Sequence, residues 1–291
     1  MVIKSINKKF TAPVLLSITL AIAGCQQPSR QGTFADSVRK NPPYAADIRH
    51  LTAGKSVRQR DINYTVHGSG KNVTLVIAGI HGDEKAGVVI AHKLDSFLAE
   101  RPYSVIGRTV VILPIANPDG YIKNTRFNAR NIDINRNFAT FNRIDNEVNG
   151  RGGMTEPESI ALAKIINTYN PSKIISLHST LACIDYDGPS EVVARRMSKK
   201  CSLPVKKLGS RPGSLGSYAG LEKKIPMVTV EFTAKDEKLD ADRLWAKYEK
   251  AILAGIYYEL KQDDSEGKGN AADSDIRESD TQPDDRAIRY H

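Results

Sequence analysis

Asn72-Val73-Thr74-Leu75-Val76-Ile77-Ala78-Gly79-Ile80 empties directly into His81-Gly82-Asp83-Glu84. The first nine residues are a run rich in β-branched side chains, which predicts a strand buried on both faces. The next four place an imidazole and a carboxylate in the turn that leaves it. Alone, such a turn fits a solvated loop. Its company argues otherwise. Lys173–Leu177 is a second short apolar run, and it ends at His178. Met227–Phe232 is a third, with Glu231 inside it. Two imidazoles and one carboxylate are the ligand set of an open zinc site, whose fourth position is left to water.

Strand and helix patterns alternate around this stretch. Asp61–Val66 reads as an edge strand and Thr109–Ala116 as another buried one. A helix is predicted over Lys85–Glu100, with Val88, Val89, Leu94 and Leu98 inward. Thr155-Glu156-Pro157-Glu158 has the form of a capping box with proline in the first turn, opening a helix to Tyr169. Glu191–Cys201 and Ala241–Leu260 read as two more, the last with Leu244, Trp245, Tyr248, Ile252 and Ile256 on one face. This order predicts a single α/β domain, its mostly parallel sheet covered by helices on both faces. Ligand sites in such sheets lie beyond the carboxyl ends of the strands. His81, Asn117, His178 and Glu231 all fall at or near such ends. Residues 117–149 form a long aperiodic segment, and long loops in compact domains are usually functional.

Charge divides the 291-residue chain into zones. Residues 1–25 carry +3 and residues 262–291 carry −5, nine acids against four bases, so the total of +9 leaves +11 on residues 26–261. A basic body suits anionic partners. Nucleic acid is not expected, because no basic helix or stacked aromatic motif accompanies the charge. Small substrates that carry carboxylates fit better.

The amino terminus reads as a targeting segment. Lys4, Lys8 and Lys9 precede a mostly apolar stretch too short for a comfortable membrane span. It closes on Ile22-Ala23-Gly24-Cys25, which resembles the bacterial lipobox. That resemblance implies a signal peptide over residues 1–24 and a lipid anchor on Cys25. Gln26 rather than aspartate follows, so the expected place is the cell envelope, on the periplasmic side of the outer membrane. Residues 25–43 read as a tether, 44–261 as the catalytic domain, and 262–291 as an acidic disordered tail. Cys183 and Cys201 remain. Their sequence fits a disulfide in an oxidising compartment and two free thiols equally well.

The expected chemistry is hydrolytic. Zinc held by His81, Glu84 and His178 would lower the pKa of its bound water to about 7. A nearby carboxylate must then take a proton and pass it to the leaving amine. Glu231 suits that role, because a charged residue inside an apolar strand is expensive unless it faces a polar site. Arg126, Arg130 and Arg136 stand among Asn124, Asn128, Asn131, Asn135 and Asn137. Such a cluster can clamp a carboxylate or stabilise an oxyanion. Asp133 can take the second N–H of a metal-bound histidine.

Gly79-Ile80-His81-Gly82-Asp83-Glu84, Asn117-Pro118-Asp119-Gly120, Asp133-Ile134-Asn135-Arg136-Asn137-Phe138, Leu177-His178-Ser179 and Thr229-Val230-Glu231 stand in an order that resembles the zinc carboxypeptidases. Thr125–Arg130 and Gly213–Tyr218 are more similar to the murein peptide amidase branch. The likeness covers residues 50–260. It implies one zinc per chain on His81, Glu84 and His178, with Glu231 as general base and acid. It implies Arg126 as the oxyanion-stabilising arginine, Asn135 and Arg136 as the site for a terminal carboxylate, and Asp133 as the brace of His81. It also implies a mixed eight-stranded sheet. One departure stands out: the digestive members carry a mobile tyrosine a few residues before the Gly-Ser block, where this chain reads Lys206–Arg211. Arg211 or Tyr218 is the expected substitute.

The expected activity is hydrolysis of an amide next to a free carboxylate, with a γ-D-glutamyl-meso-diaminopimelate peptide as substrate. Alternatives are a general peptide carboxypeptidase, an N-acyl amino acid deacylase resembling aspartoacylase and succinylglutamate desuccinylase, and an inactive binding lipoprotein of the same shape. Retention of all four core residues argues against the last.

Overall fold

The computed structural model describes residues 47–260. The leader, Cys25, the whole tether and the acidic tail lie outside the described residues.

Among the described residues, six strands form one mixed sheet in the order β1-β2-β4-β3-β5-β6. They are β1 (Ile48–Lys55), β2 (Asp61–His67), β3 (Asn72–Ile77), β4 (Arg108–Leu113), β5 (Lys173–Asp187) and β6 (Met227–Thr233). β1 and β2 are antiparallel to their neighbours, while β4, β3, the first limb of β5 and β6 run parallel. Among the described residues, five α-helices accompany them: α1 (Lys85–Glu100), α2 (Pro118–Lys123), α3 (Pro157–Tyr169), α4 (Glu191–Ser198) and α5 (Ala241–Tyr257).

The period-2 alternation of strand side chains sorts the apolar residues into two cores. Val76, Val110, Ile112, Ile175, Leu177, Val228, Val230 and Phe232 face one core, shared with α1, α4 and α5. Leu75, Ile77, Val111, Leu113, Ile174 and Met227 face the other, shared with α3 and with Leu215 and Ala219. Residues of one strand therefore serve both cores, which is why β3 reads as an unbroken apolar run. Each such side chain, fully buried, contributes about 1.5–3 kcal/mol.

Three expectations need correction. The strand at Asp61 is not the sheet edge, because β1 lies outside it. The residues of β1 are mostly exposed and lack an apolar run, so its sequence carries no strand signal. The sheet has six strands rather than eight. One part of the difference lies in β5, whose two limbs count as a single strand. Its first limb pairs parallel to β6, from Ile174 opposite Met227 to Thr180 opposite Thr233. Beyond Ala182, which has a positive φ, the register counts backward, from Cys183 opposite Glu231 to Asp187 opposite Met227. One 15-residue strand thus folds over the end of β6 and pairs with both of its sides. Val205 adds an isolated bridge to Ile184.

The third correction concerns α3. Glu156 occupies its cap position, but no side-chain cap bond forms there, so the expected capping box is absent. The acceptor comes from far away. Buried Asn137 Oδ1 accepts from the backbone N–H groups of Thr155 and Glu156, each at 3.0 Å, and from Ser159 Oγ at 2.9 Å. Its Nδ2 donates to Asn149 O at 3.1 Å and Thr155 Oγ1 at 2.9 Å. Asn137 is thereby a structural hub that orders the loop before α3, and not a substrate group.

Candidate metal centre

The strand order reverses at β3, which lies between β4 and β5. A crevice opens where connections leave a sheet in opposite directions, and ligands bind there. His81 follows β3. His178 stands on the neighbouring strand β5, two residues past the pairing of Ile77 with Ser176. Glu231 of β6 lies directly opposite His178. Glu84 is the N-cap residue of α1. The turn between His81 and Glu84 needs glycine: a Cβ on Gly82 would stand 2.0 Å from the Gly120 carbonyl carbon. That close approach seats His81 against α2. Asn117 and Gly120, two residues of the Asn-Pro-Asp-Gly block, have structural roles here. Asn117 Oδ1 caps α2 through Gly120 N at 2.9 Å.

His81, Glu84 and His178 are all buried, with one possible ligand atom from each lying within 4.8 Å of the others. His81 Nδ1 is 2.7 Å from Glu84 Oε1, and His178 Nδ1 is 2.8 Å from Glu84 Oε2. The two Nδ1 atoms face each other at 3.2 Å. A neutral imidazole carries one N–H, so at most one proton can satisfy each facing pair. Lone pairs from two rings and one carboxylate therefore converge on a spot that a cation fills better than protons do. The donor set is that of catalytic zinc.

Electrostatics agree. Burial opposes charge on His81, yet Glu84 and Asp133 hold its pKa up at about 9. Burial also works against the Glu84 carboxylate, but His81 and His178 keep it well below its ordinary range. The pocket is built to hold positive charge.

Asp133 gathers the surrounding groups. Its Oδ1 lies 3.3 Å from His81 Nε2 and accepts from Asn135 N at 2.9 Å. Its Oδ2 takes Arg126 Nη2 at 2.9 Å and Nε at 3.1 Å. Arg126 Nη1 then stands 3.3 Å from His81 Nδ1 and 3.7 Å from Glu84 Oε1. A cationic head is thus aimed at the metal pocket. Despite burial, His81, Arg126 and Arg136 hold the Asp133 carboxyl far below its usual range.

The remaining residues divide. Asn135 Oδ1 accepts from Leu215 N at 2.9 Å, tying the Asp133 turn to the Gly213–Gly216 segment. Arg136 is half-buried and bonds Asn135 O through Nη1 at 2.6 Å. Arg130 is drawn away toward Glu156 at 3.4 Å, and Asn128 is buried between Glu156 and Glu158. Tyr218 stacks on Phe138 with ring centroids 5.3 Å apart, and exposed Arg211 accepts Ser217 Oγ on its carbonyl.

Glu231 is half-buried, and its Oε2 accepts from Leu181 N at 3.4 Å. Burial raises its pKa, opposed by His178 and helped by Glu84. Cys183 flanks Glu231 from the returning limb of β5. It is a buried free thiol pushed up to about 11, first by burial and then by Glu231, and Cys201 is also free.

Glu237 was invisible in the sequence. Its carboxylate bonds the first N–H groups of α1, 152 residues away in the chain, and Ser179. No local pattern could have marked it.

Comparison with known proteins supplies the context. The sequence model of the zinc carboxypeptidase family matches residues 30–264. Murein peptide amidase A of Escherichia coli strain K12 is 32% identical over 176 residues, covering 54% of this chain and 70% of that protein. The protein of the same name from Vibrio campbellii is 29% identical over 203 residues, covering 64% and 77%. The crystal structure of a murein-tripeptide amidase from Escherichia coli O157 superposes with a TM-score of 0.61 at 25% identity, covering 78% of this chain and 97% of that one.

The purified chain is expected to bind about one zinc. His81→Ala or His178→Ala should remove most of it, because an open site with three protein ligands cannot spare one. Elemental analysis after dialysis checks this; full occupancy in both variants would refute the ligand assignment.

Proposed function

Because this chain belongs to the zinc carboxypeptidase family, and is thus a zinc-dependent hydrolase of peptide bonds, we propose that it cleaves an amide next to a free carboxylate in cell-wall peptides. The bond is the one between γ-D-glutamate and meso-diaminopimelate. The observation that carries the reading is the buried His81–Glu84–His178 pocket on a chain 32% identical to a murein peptide amidase across 70% of that protein. The +11 charge on residues 26–261 suits a substrate with several carboxylates.

His81, Glu84 and His178 would hold zinc, which would supply Lewis acidity and lower the pKa of the attacking water to about 7. The chain's own groups do the rest. Glu231 takes the proton of the attacking water and delivers it to the leaving nitrogen. Burial raises its pKa above the ordinary carboxylate value, the direction that favours a general base and acid. Arg126 presents its guanidinium to the oxyanion that develops on the scissile carbonyl. Asp133 fixes that guanidinium by two bonds, so little reorganisation is needed during reaction. Arg136, with the Asn135 amide nitrogen, receives the terminal carboxylate. Cys25 carries the lipid that holds the domain at the periplasmic face of the outer membrane.

Glu231→Gln should keep zinc and fold while turnover of a muropeptide falls by about 10²–10⁴-fold. Near-parental turnover would move the base elsewhere. Arg136→Ala should weaken binding of peptides with a free terminal carboxylate by about 10–150-fold, the loss of a charge-assisted pair of about 1.5–3 kcal/mol. Their amidated analogues should already be poor substrates of the parent. If the parent cleaves both alike, the terminus is not read there. Mass analysis of a digested muropeptide mixture identifies the bond. Cys25→Ser should release the protein from membranes, and retention after a salt wash would refute the anchor.

A further inference from the structure

Glu84 is the N-cap residue of α1. A side-chain oxygen at that position, most often from Asp, Asn, Ser or Thr, can accept from the first N–H groups of its own helix. Here it does not: no side-chain cap bond forms, because both Glu84 oxygens are turned to His81 and His178. The N–H groups of Lys85 and Ala86 would otherwise lack an acceptor at a helix end that favours negative charge.

Another carboxylate stands in. Glu237 Oε2 accepts from Lys85 N at 2.9 Å and from Ala86 N at 3.1 Å. Its Oε1 accepts from the hydroxyl of Ser179, the residue after His178. One side chain thus joins the residue after one ligand to the residue after another. Glu237 is itself held firmly. Its neighbour Asp236 is buried and accepts from Thr233 N at 2.8 Å, Thr233 Oγ1 at 2.7 Å, Tyr248 OH at 2.7 Å and Lys247 Nζ at 2.6 Å. The turn between β6 and α5 is therefore locked before Glu237 reaches across to α1.

We propose that Glu237 is a positioning residue for the metal pocket: it takes over the helix cap that Glu84 relinquishes, and through Ser179 it fixes the spacing of Glu84 and His178. The proposal rests on the zinc reading of that pocket. Without Glu237, the uncapped N–H groups of α1 compete for the Glu84 carboxylate, and the tie to the His178 segment is cut. Metal affinity should fall although no ligand has changed.

The test is zinc affinity of the full chain, measured by competition with a chelator of known strength, beside thermal melting of the metal-free protein. Glu237→Ala should weaken zinc by about 10-fold, the lower end of the loss seen when a group bonded to a ligand itself is removed, because Glu237 acts through the residues that follow Glu84 and His178. Glu237→Gln should recover part of this, since an amide oxygen still accepts from Lys85 and Ala86. Ser179→Ala should weaken zinc without lowering the melting temperature of the metal-free chain. The double variant should be no weaker than Glu237→Ala alone. Parental affinity in Glu237→Ala, or additive losses in the double variant, overturns the proposal. Should Glu237→Ala fail to fold, parental affinity in Ser179→Ala overturns it. A parent chain that binds no zinc overturns the metal assignment itself, and the clamp with it.

Discussion

A single carboxylate cannot both cap its helix and hold two imidazoles, and Glu84 is committed to the imidazoles. Much of the site's architecture follows from that choice. The loop after β3 must be tight enough to bring His81 within 2.7 Å of the same carboxylate, which Gly82 permits by letting the backbone press on Gly120. β5 must run past the end of β3 to deliver His178. The helix start needs an acceptor from elsewhere, and the turn after β6 provides one. Burial raises the stakes of each requirement, since an unpaired polar group in a low-dielectric site costs about 1–3 kcal/mol.

Asp133 plays the matching part on the other side of the pocket. It joins His81, Arg126 and the Asn135 backbone, and Asn135 in turn anchors the segment at Leu215. Beyond α2 and outside a short turn at Ile134–Arg136, the long aperiodic segment is thus given its conformation by side chains. Asn137, a few residues on, orders the stretch before α3. The same loop holds a group directed at the metal pocket, Arg126, and a group directed at its own backbone, Asn137. That division explains why its asparagines looked alike in sequence and differ in use.

The elements with strong periodicity were legible. Lys85–Glu100 forms α1 at the expected limits, and the apolar runs at Asn72, Thr109, Lys173 and Met227 all form strands. The metal-ligating chemistry of His81, Glu84 and His178 could be suspected from their strand-end positions. Less was legible where solvent or distance governs. β1 is largely exposed and carries no apolar signature. The return of β5 along the other side of β6 depends on a turn at residues 181–182 with no proline or glycine to announce it. The cap of α3 looked local in Thr155–Glu158 but comes from Asn137.

The sequence by itself determined the α/β class, the two-sided burial of β3, and the residue types able to hold zinc and move a proton, because hydrophobic period and donor chemistry are local properties. Only the tertiary structure decided which carboxylates serve the metal pocket and which serve the backbone. Glu84 faces His81 and His178, Glu231 lies opposite His178, Asp133 holds Arg126, and Glu237 caps α1. These are chemically similar acids in similar surroundings of sequence. Their roles diverge because strand order and loop packing set the partner each one meets within hydrogen-bonding distance, and that distance is fixed by contacts between segments far apart in the chain.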